Sequence, residues 1–167
     1  VISIAHISNV IGDVRPIKDI INFAHKNNIL VVIDGAQSVA HKKIDVQDLD
    51  IDFLAFSAHK MLGPTGVGVL YGKEEYLNNT KPIVFGGGMS ASFTEDGKRI
   101  YDELPELLEA GTPNIAGVIG LGEAVNYLNN IGMDNIENYE YELKKYAIGK
   151  LKLVPNIIIY NEFSKSG

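Results

Sequence analysis

Hydrophobic positions along the chain switch between two periods, and each switch marks an element. Val1–Ala5 is a short apolar run with β-branched residues, which predicts a strand. Pro16–Asn27 carries Ile17, Ile20, Ile21 and Ala24 at helical spacing, with Pro16 where a first turn tolerates proline. Ile29–Ile33 is continuously apolar, as a strand covered on both faces is. Asp45–Leu49 predicts a short helix, Asp52–Phe56 and Val67–Tyr71 two more strands, and Lys73–Asn78 one or two helical turns. Ser92–Glu109 is polar and weakly patterned, and reads as a long loop of the kind that is often functional. Pro113–Ile131 predicts a long helix with Ile115, Val118, Ile119, Leu121, Val125 and Leu128 on one broad face. Its Gly117, Gly120 and Gly122 let a neighbour pack closely. Met133–Lys150 predicts a second helix, acidic early and basic late, as the helix dipole prefers. Asn156–Tyr160 predicts a strand that opens something new.

Strands alternating with helices predict an α/β fold with a mostly parallel mixed sheet and flanking helices. The tight Gly-Pro-Thr-Gly-Val-Gly between Phe56 and Val69 permits a hairpin, and so one antiparallel strand. At 167 residues and 46% hydrophobic, the chain suits one domain, or one domain plus a piece of another. Lys+Arg is 15 against Asp+Glu 21, and the net charge of −6 with no basic run argues against nucleic acid or an anionic membrane as partner. No apolar stretch approaches the ~18–20 residues of a membrane span. Zero cysteines remove disulfides, thiolate zinc sites and a cysteine nucleophile from these residues. The first residues lack an initiator Met and signal-peptide features, so a piece of a longer protein is expected.

Candidate chemistry concentrates between Asp34 and Gly68. Asp34-Gly-Ala-Gln37 follows a buried strand, and open α/β sheets bind ligands beyond the carboxyl ends of their strands. Alone, Asp34 reads as a helix cap or turn residue. Ser57-Ala-His-Lys60 follows the next strand at the same sheet edge. Lys60 alone reads as a surface lysine. At a strand end, beside His59 and before Gly63-Pro-Thr-Gly66, it suits an amine made nucleophilic toward carbonyls by burial or nearby positive charge. Gly63, Gly66 and Gly68 form neither a P-loop nor a dinucleotide fingerprint. Gly72-Lys73 is followed by Glu74, with Val67 in place of the first glycine, and Tyr71 replaces the last glycine of the other pattern. They read as a tight turn beside the lysine. Asp48, Asp50 and Asp52 read as a solvated turn. His6, His25 and His41 lack metal-ligand spacing and read as structural or surface residues, so no metal site is expected.

Four ordered motifs carry a resemblance: Asp34-Gly-Ala-Gln37, Ser57-Ala-His-Lys60, Leu62-Gly-Pro-Thr-Gly-Val-Gly68 and Glu109-Ala-Gly-Thr-Pro-Asn114. Together they resemble the class V aminotransferase superfamily of pyridoxal 5′-phosphate (PLP) fold type I, and within it the SUF-type cysteine desulfurases, also described as selenocysteine lyases. The resemblance implies that Lys60 forms the Schiff base with PLP and later moves the Cα proton. It implies that Asp34 pairs with the pyridinium nitrogen and Gln37 with the phenolic oxygen. Ser57 and His59 would donate to the phosphate, and Asn9 would lie beside O3′ and the substrate carboxylate. Thr112 would reach the phosphate of a neighbouring subunit's cofactor, in a homodimer.

The reaction so implied converts L-cysteine to L-alanine. The sulfur passes to an enzyme cysteine as a persulfide and then to an acceptor protein for iron–sulfur cluster assembly, in the cytoplasm. The family's catalytic cysteine and carboxylate-gripping arginine fall outside these residues, so the piece is expected to be inactive alone. Residues 1–131 would be part of the large PLP-binding domain, and 132–167 the start of a truncated small α+β C-terminal domain. Gly86-Gly-Gly88 would be a backbone device near the subunit interface. The alternatives are another PLP enzyme of the superfamily with a different substrate, and a non-catalytic dimerisation core.

Overall fold

The computed structural model describes residues 1–162 of the chain. Its centre is a four-stranded sheet in the order β1 (Ile2–Ala5), β2 (Val31–Asp34), β3 (Phe53–Ser57), β4 (Gly68–Gly72). β1, β2 and β3 run parallel, and β4 returns antiparallel to β3 with Phe53 opposite Gly72 and Ser57 opposite Gly68. The mostly parallel mixed sheet expected of the sequence is formed, with its one hairpin at the glycine-rich turn.

Two apolar clusters hold the layers together. Helix α1 (Ile17–Lys26) buries Ile17, Ile21 and Ala24 against Val31, Ile33, Ile51 and Leu54. Ile21 is fully buried, so truncating it to alanine costs about 2–5 kcal/mol. The second cluster joins Ala40, Ala58 and Met61 to Leu121 and Leu128 of α3 (Ile115–Ile131). Asn114 caps α3 by accepting from Gly117 N. A Cβ on Gly117 would stand 2.5 Å from Val67 Cγ2, and one on Gly120 would stand 3.3 Å from Pro64 Cγ. These glycines therefore let α3 settle on the Pro64–Val67 turn. Gly122 faces open space. Gly132, at φ +90°, separates α3 from α4 (Met133–Leu151), which reaches the second cluster through Met133 and Ile136.

Three local expectations change. Asp45–Leu49 is one helical turn, in which Asp45 accepts from Gln47 N and Asp48 N; α2 (Glu74–Leu77) is equally short. The expected long loop contains a hairpin, β5 (Ser90–Phe93) with β6 (Arg99–Tyr101), closed by Gly97 at φ +78° and followed by a 3-10 turn over Glu106–Leu108. Both strands lie largely exposed, so they lack the apolar alternation that betrays a strand. Asn156–Tyr160 forms no strand, because among the described residues no strand pairs with it.

At the end of the sheet where β2 and β3 begin, Asp52 is fully buried, not part of a solvated turn. Its carboxylate accepts from Lys73 Nζ (2.8 Å) and Val31 N (2.8 Å) and bonds His25 Nε2 (2.9 Å). Lys73 also pairs with Asp50 at 2.7 Å, and His25 Nδ1 bonds Asp50 at 3.0 Å. Burial alone would push the Asp52 carboxyl up. The hydrogen bonds from Lys73, His25 and Val31 outweigh it and hold the group below the usual carboxylate range. Among the described residues, no helix is long and apolar enough to cross a membrane.

Candidate active site

The opposite edge of the sheet carries the candidate site residues. Each of β1, β2 and β3 ends there in a stiff turn. After β1, Ser8 Oγ accepts from Val10 N and Ile11 N, and Gly12 N bonds Ser8 O, which folds Asn9 into a compact loop. After β2, Gly35 N donates to Ala55 O, and a Cβ on Gly35 would stand 2.7 Å from Leu54 Cδ1. Glycine lets the chain turn there flush with β3. Asp34 Oδ1 accepts from Ala36 N at 2.9 Å, which fixes the carboxylate at the mouth of the turn. After β3, Ser57 leads into a 3-10 turn over Ala58–Lys60. The Ala58 carbonyl accepts from Met61 N and Gly63 N, and a Cβ on Gly63 would meet that same oxygen at 2.9 Å.

The three turns meet in a cleft of about 250 Å³ that brings together Asn9, Asp34, Gln37 and Lys60. Arg15 also lines it, with NH1 donating to Ala5 O at 2.9 Å. Sequence reasoning missed Arg15. It returns to the sheet edge because Ile7 bridges Val14 in antiparallel fashion, a contact with no local signature. Ser57 and His59 lie at the same edge but do not line the cleft, and His59 is exposed. Thr112 is exposed in the segment before α3 and does not line it either. That segment is tied to the glycine triplet, since Gly111 N donates to Gly87 O at 2.8 Å and a Cβ on Gly86 would stand 3.0 Å from Gly111 N. Lys60 is exposed, so the burial expected around its amine is not supplied by the described residues.

A larger cleft of about 500 Å³ shares Ile7, Ser8, Asn9 and Gln37 with the first. Its far wall is α4, with Glu137, Glu140, Leu143 and Ala147. His41 Nδ1 bonds Glu140 Oε1 at 2.7 Å, and Lys42 Nζ pairs with Glu137 Oε1. His6, just before the Ile7–Asn9 stretch that lines both clefts, is 7% exposed, and its buried Nδ1 has no hydrogen-bond partner among the described residues. Burial lowers its pKa to about 4; Lys42 pushes the same way and Glu137 opposes.

The donor set fits an aldehyde cofactor with a basic ring nitrogen. Lys60 brings an amine, Asp34 a carboxylate, and Asn9 and Gln37 two amides to one cleft, a set whose chemistry suits a carbonyl, a protonated ring nitrogen and polar ring substituents. The profile of the aminotransferase class-V family matches residues 1–166. The chain belongs to that family. A probable cysteine desulfurase of Halalkalibacterium halodurans is 46% identical over 167 residues, covering 100% of this chain and 41% of that protein. The crystal structure of the Escherichia coli cysteine desulfurase CsdA, in its S-sulfonic acid form, superposes with a TM-score of 0.87 at 43% identity, covering 92% of this chain and 38% of that one. The apo cysteine desulfurase of Thermococcus onnurineus NA1 superposes with a TM-score of 0.86 at 39% identity, covering 90% and 38%. The chain thus spans about two fifths of the length of the curated relatives it matches.

Proposed function

We propose that this chain carries the cofactor-holding half of the active site of a PLP-dependent cysteine desulfurase. The observation that carries the reading is the convergence of Asp34, Lys60, Gln37 and Asn9 in one cleft at the ends of parallel strands. The similarity to cysteine desulfurases over the whole chain supports the choice of L-cysteine among the family's substrates.

Bound in the cleft, PLP supplies a carbonyl for the substrate amine and a ring that draws electron density from Cα. Asp34 holds the ring nitrogen in its cationic form. Gln37 orients the ring through its oxygen. Asn9, on the adjoining loop, would hydrogen-bond the ring oxygen and the substrate carboxylate. Lys60 would hold the cofactor through its amine, and the same amine is the group that would move the Cα proton. Ser57 and His59 hold the phosphate beyond the cleft's rim. Thr112, exposed and outside the lining of this cleft, would serve the cofactor of a second subunit. The division falls near Gly132, with residues 1–131 in the large domain and α4 opening the smaller one.

With no cysteine in these 167 residues, the thiolate that takes the sulfur comes from elsewhere. The chain alone therefore binds the cofactor without turning over cysteine. In the parent enzyme the sulfur leaves as a persulfide for an acceptor protein of iron–sulfur cluster assembly; that destination and a cytoplasmic location rest on the family resemblance.

The test is to incubate the protein with PLP, reduce with borohydride and map the adduct by peptide mass spectrometry. A single adduct on Lys60, absent in Lys60→Ala, supports the reading. Labelling spread over many lysines, unchanged in Lys60→Ala, overturns it.

A further inference from the structure

Gln37 lies between the two clefts, and the segment that carries it continues directly into His41 and Lys42. That segment is internally stiff. Val39 N bonds Gly35 O, His41 N and Lys42 N both bond Ser38 O, and Ser38 is fully buried with its hydroxyl on Gly35 O. A push on His41 or Lys42 is therefore transmitted to Gln37 without being absorbed in between. The same two residues meet α4. Glu137 and Glu140 stand three apart, so they share one helix face, and they engage Lys42 and His41 side by side. α4 contributes no buried residue of its own and touches the core only through Met133 and Ile136 at its first turn. Farther along, the two side-chain pairs hold its flank to the body.

From this geometry we infer that His41–Glu140 and Lys42–Glu137 form a clasp that sets Gln37 in the cofactor cleft, making all four positioning residues. The inference rests on the reading above for what Gln37 contacts, but not for the clasp itself. Releasing the clasp lets α4 swing from the rim of the larger cleft and leaves the Gly35–Lys42 segment without its outer support. The lysine arm is the stronger, because the Lys42 side chain is only 18% exposed, whereas the His41 side chain is 44% exposed.

The test uses Glu137→Gln with Glu140→Gln, Lys42→Glu alone, and the exchanged pair Lys42→Glu with Glu137→Lys. Two readouts are taken: the side-chain amide resonances of Gln37 without cofactor, and the rate of borohydride-fixed PLP incorporation at Lys60. Releasing both arms is expected to shift the Gln37 resonances and slow incorporation about threefold, the size of a partly exposed ion pair. The exchanged pair is expected to restore both toward wild type, which a merely structural loss would not allow. Gln37 resonances that stay in place in the double glutamine variant overturn the clasp, as does an exchanged pair no better than Lys42→Glu. If the double variant fails to fold, Glu137→Gln alone, which releases the stronger arm, decides by the same Gln37 shift. A wild-type protein that takes no label at Lys60 overturns the cofactor reading instead, and the Gln37 readout still decides the clasp.

Discussion

Two aspartates at opposite ends of one sheet receive opposite treatment. Asp52, where β3 begins, is fully buried and holds partners from α1, β2 and the residue after β4. Asp34, where β2 ends, is exposed and accepts from the Ala36 amide of its own turn. A carboxylate whose hydrogen-bonding sites are filled by the protein is part of the scaffold. One left facing a cleft beside an amine is available to a ligand. The parallel strands make the asymmetry possible, because all three present the same end to each side.

The sharpest way to break this comparison is Asp52→Ala. It leaves Lys73 and His25 without their buried anion, and a loss of about 3–5 kcal/mol in urea unfolding is expected. A loss under about 1 kcal/mol would mean that the network is ornamental. Next is His6, buried at the edge that carries the candidate site although the chain there is otherwise open. Its pKa is lowered from the ordinary 6.5 to about 4, so between those values the unfolded state binds the proton more readily. Stability is thus full above pH 6.5 and falls by up to about 3 kcal/mol on acidification toward pH 4. Unfolding midpoints from pH 7.5 to 4 check this, and a His6→Phe variant is expected to flatten that portion of the curve. The Asp52 contribution is lost only below the ordinary carboxylate range, at more acid pH, so the two windows separate. The smallest effect is at the working edge itself: Asp34→Asn and Lys60→Met are expected to change stability by no more than about 0.5 kcal/mol while reducing PLP retention sharply. Equilibrium dialysis against PLP beside a urea titration reads both.

The contrast also explains what could be read in advance. Asp34, Gln37 and Lys60 stand at strand ends, and strand ends are written in local apolar runs, so their convergence followed once the strands were parallel; Asn9 came from the family resemblance. Asp52 looked like its neighbours Asp48 and Asp50 because its partners lie 27 and 21 residues away. No local pattern marks a carboxylate that is buried among distant partners. The β5–β6 hairpin escaped for the converse reason: exposed on both sides, it has no alternation, and its Asp96-Gly97 pair was the one turn signal available. The ladder needed by Asn156–Tyr160 depends on a neighbour that no local run can supply. Thr112 and the phosphate roles of Ser57 and His59 came from the family motifs, not from geometry within the chain.

Gly63 shows what the lysine turn demands of heredity. Its missing side chain is all that keeps it off the Ala58 carbonyl, which is already shared by two amides. A saturation library at this codon should return glycine almost alone among functional clones, while the codon for Gly122, facing open space, should return much of the alphabet. The reactive amine would then be guarded by a position that never touches a ligand, one that a screen for contact residues passes over.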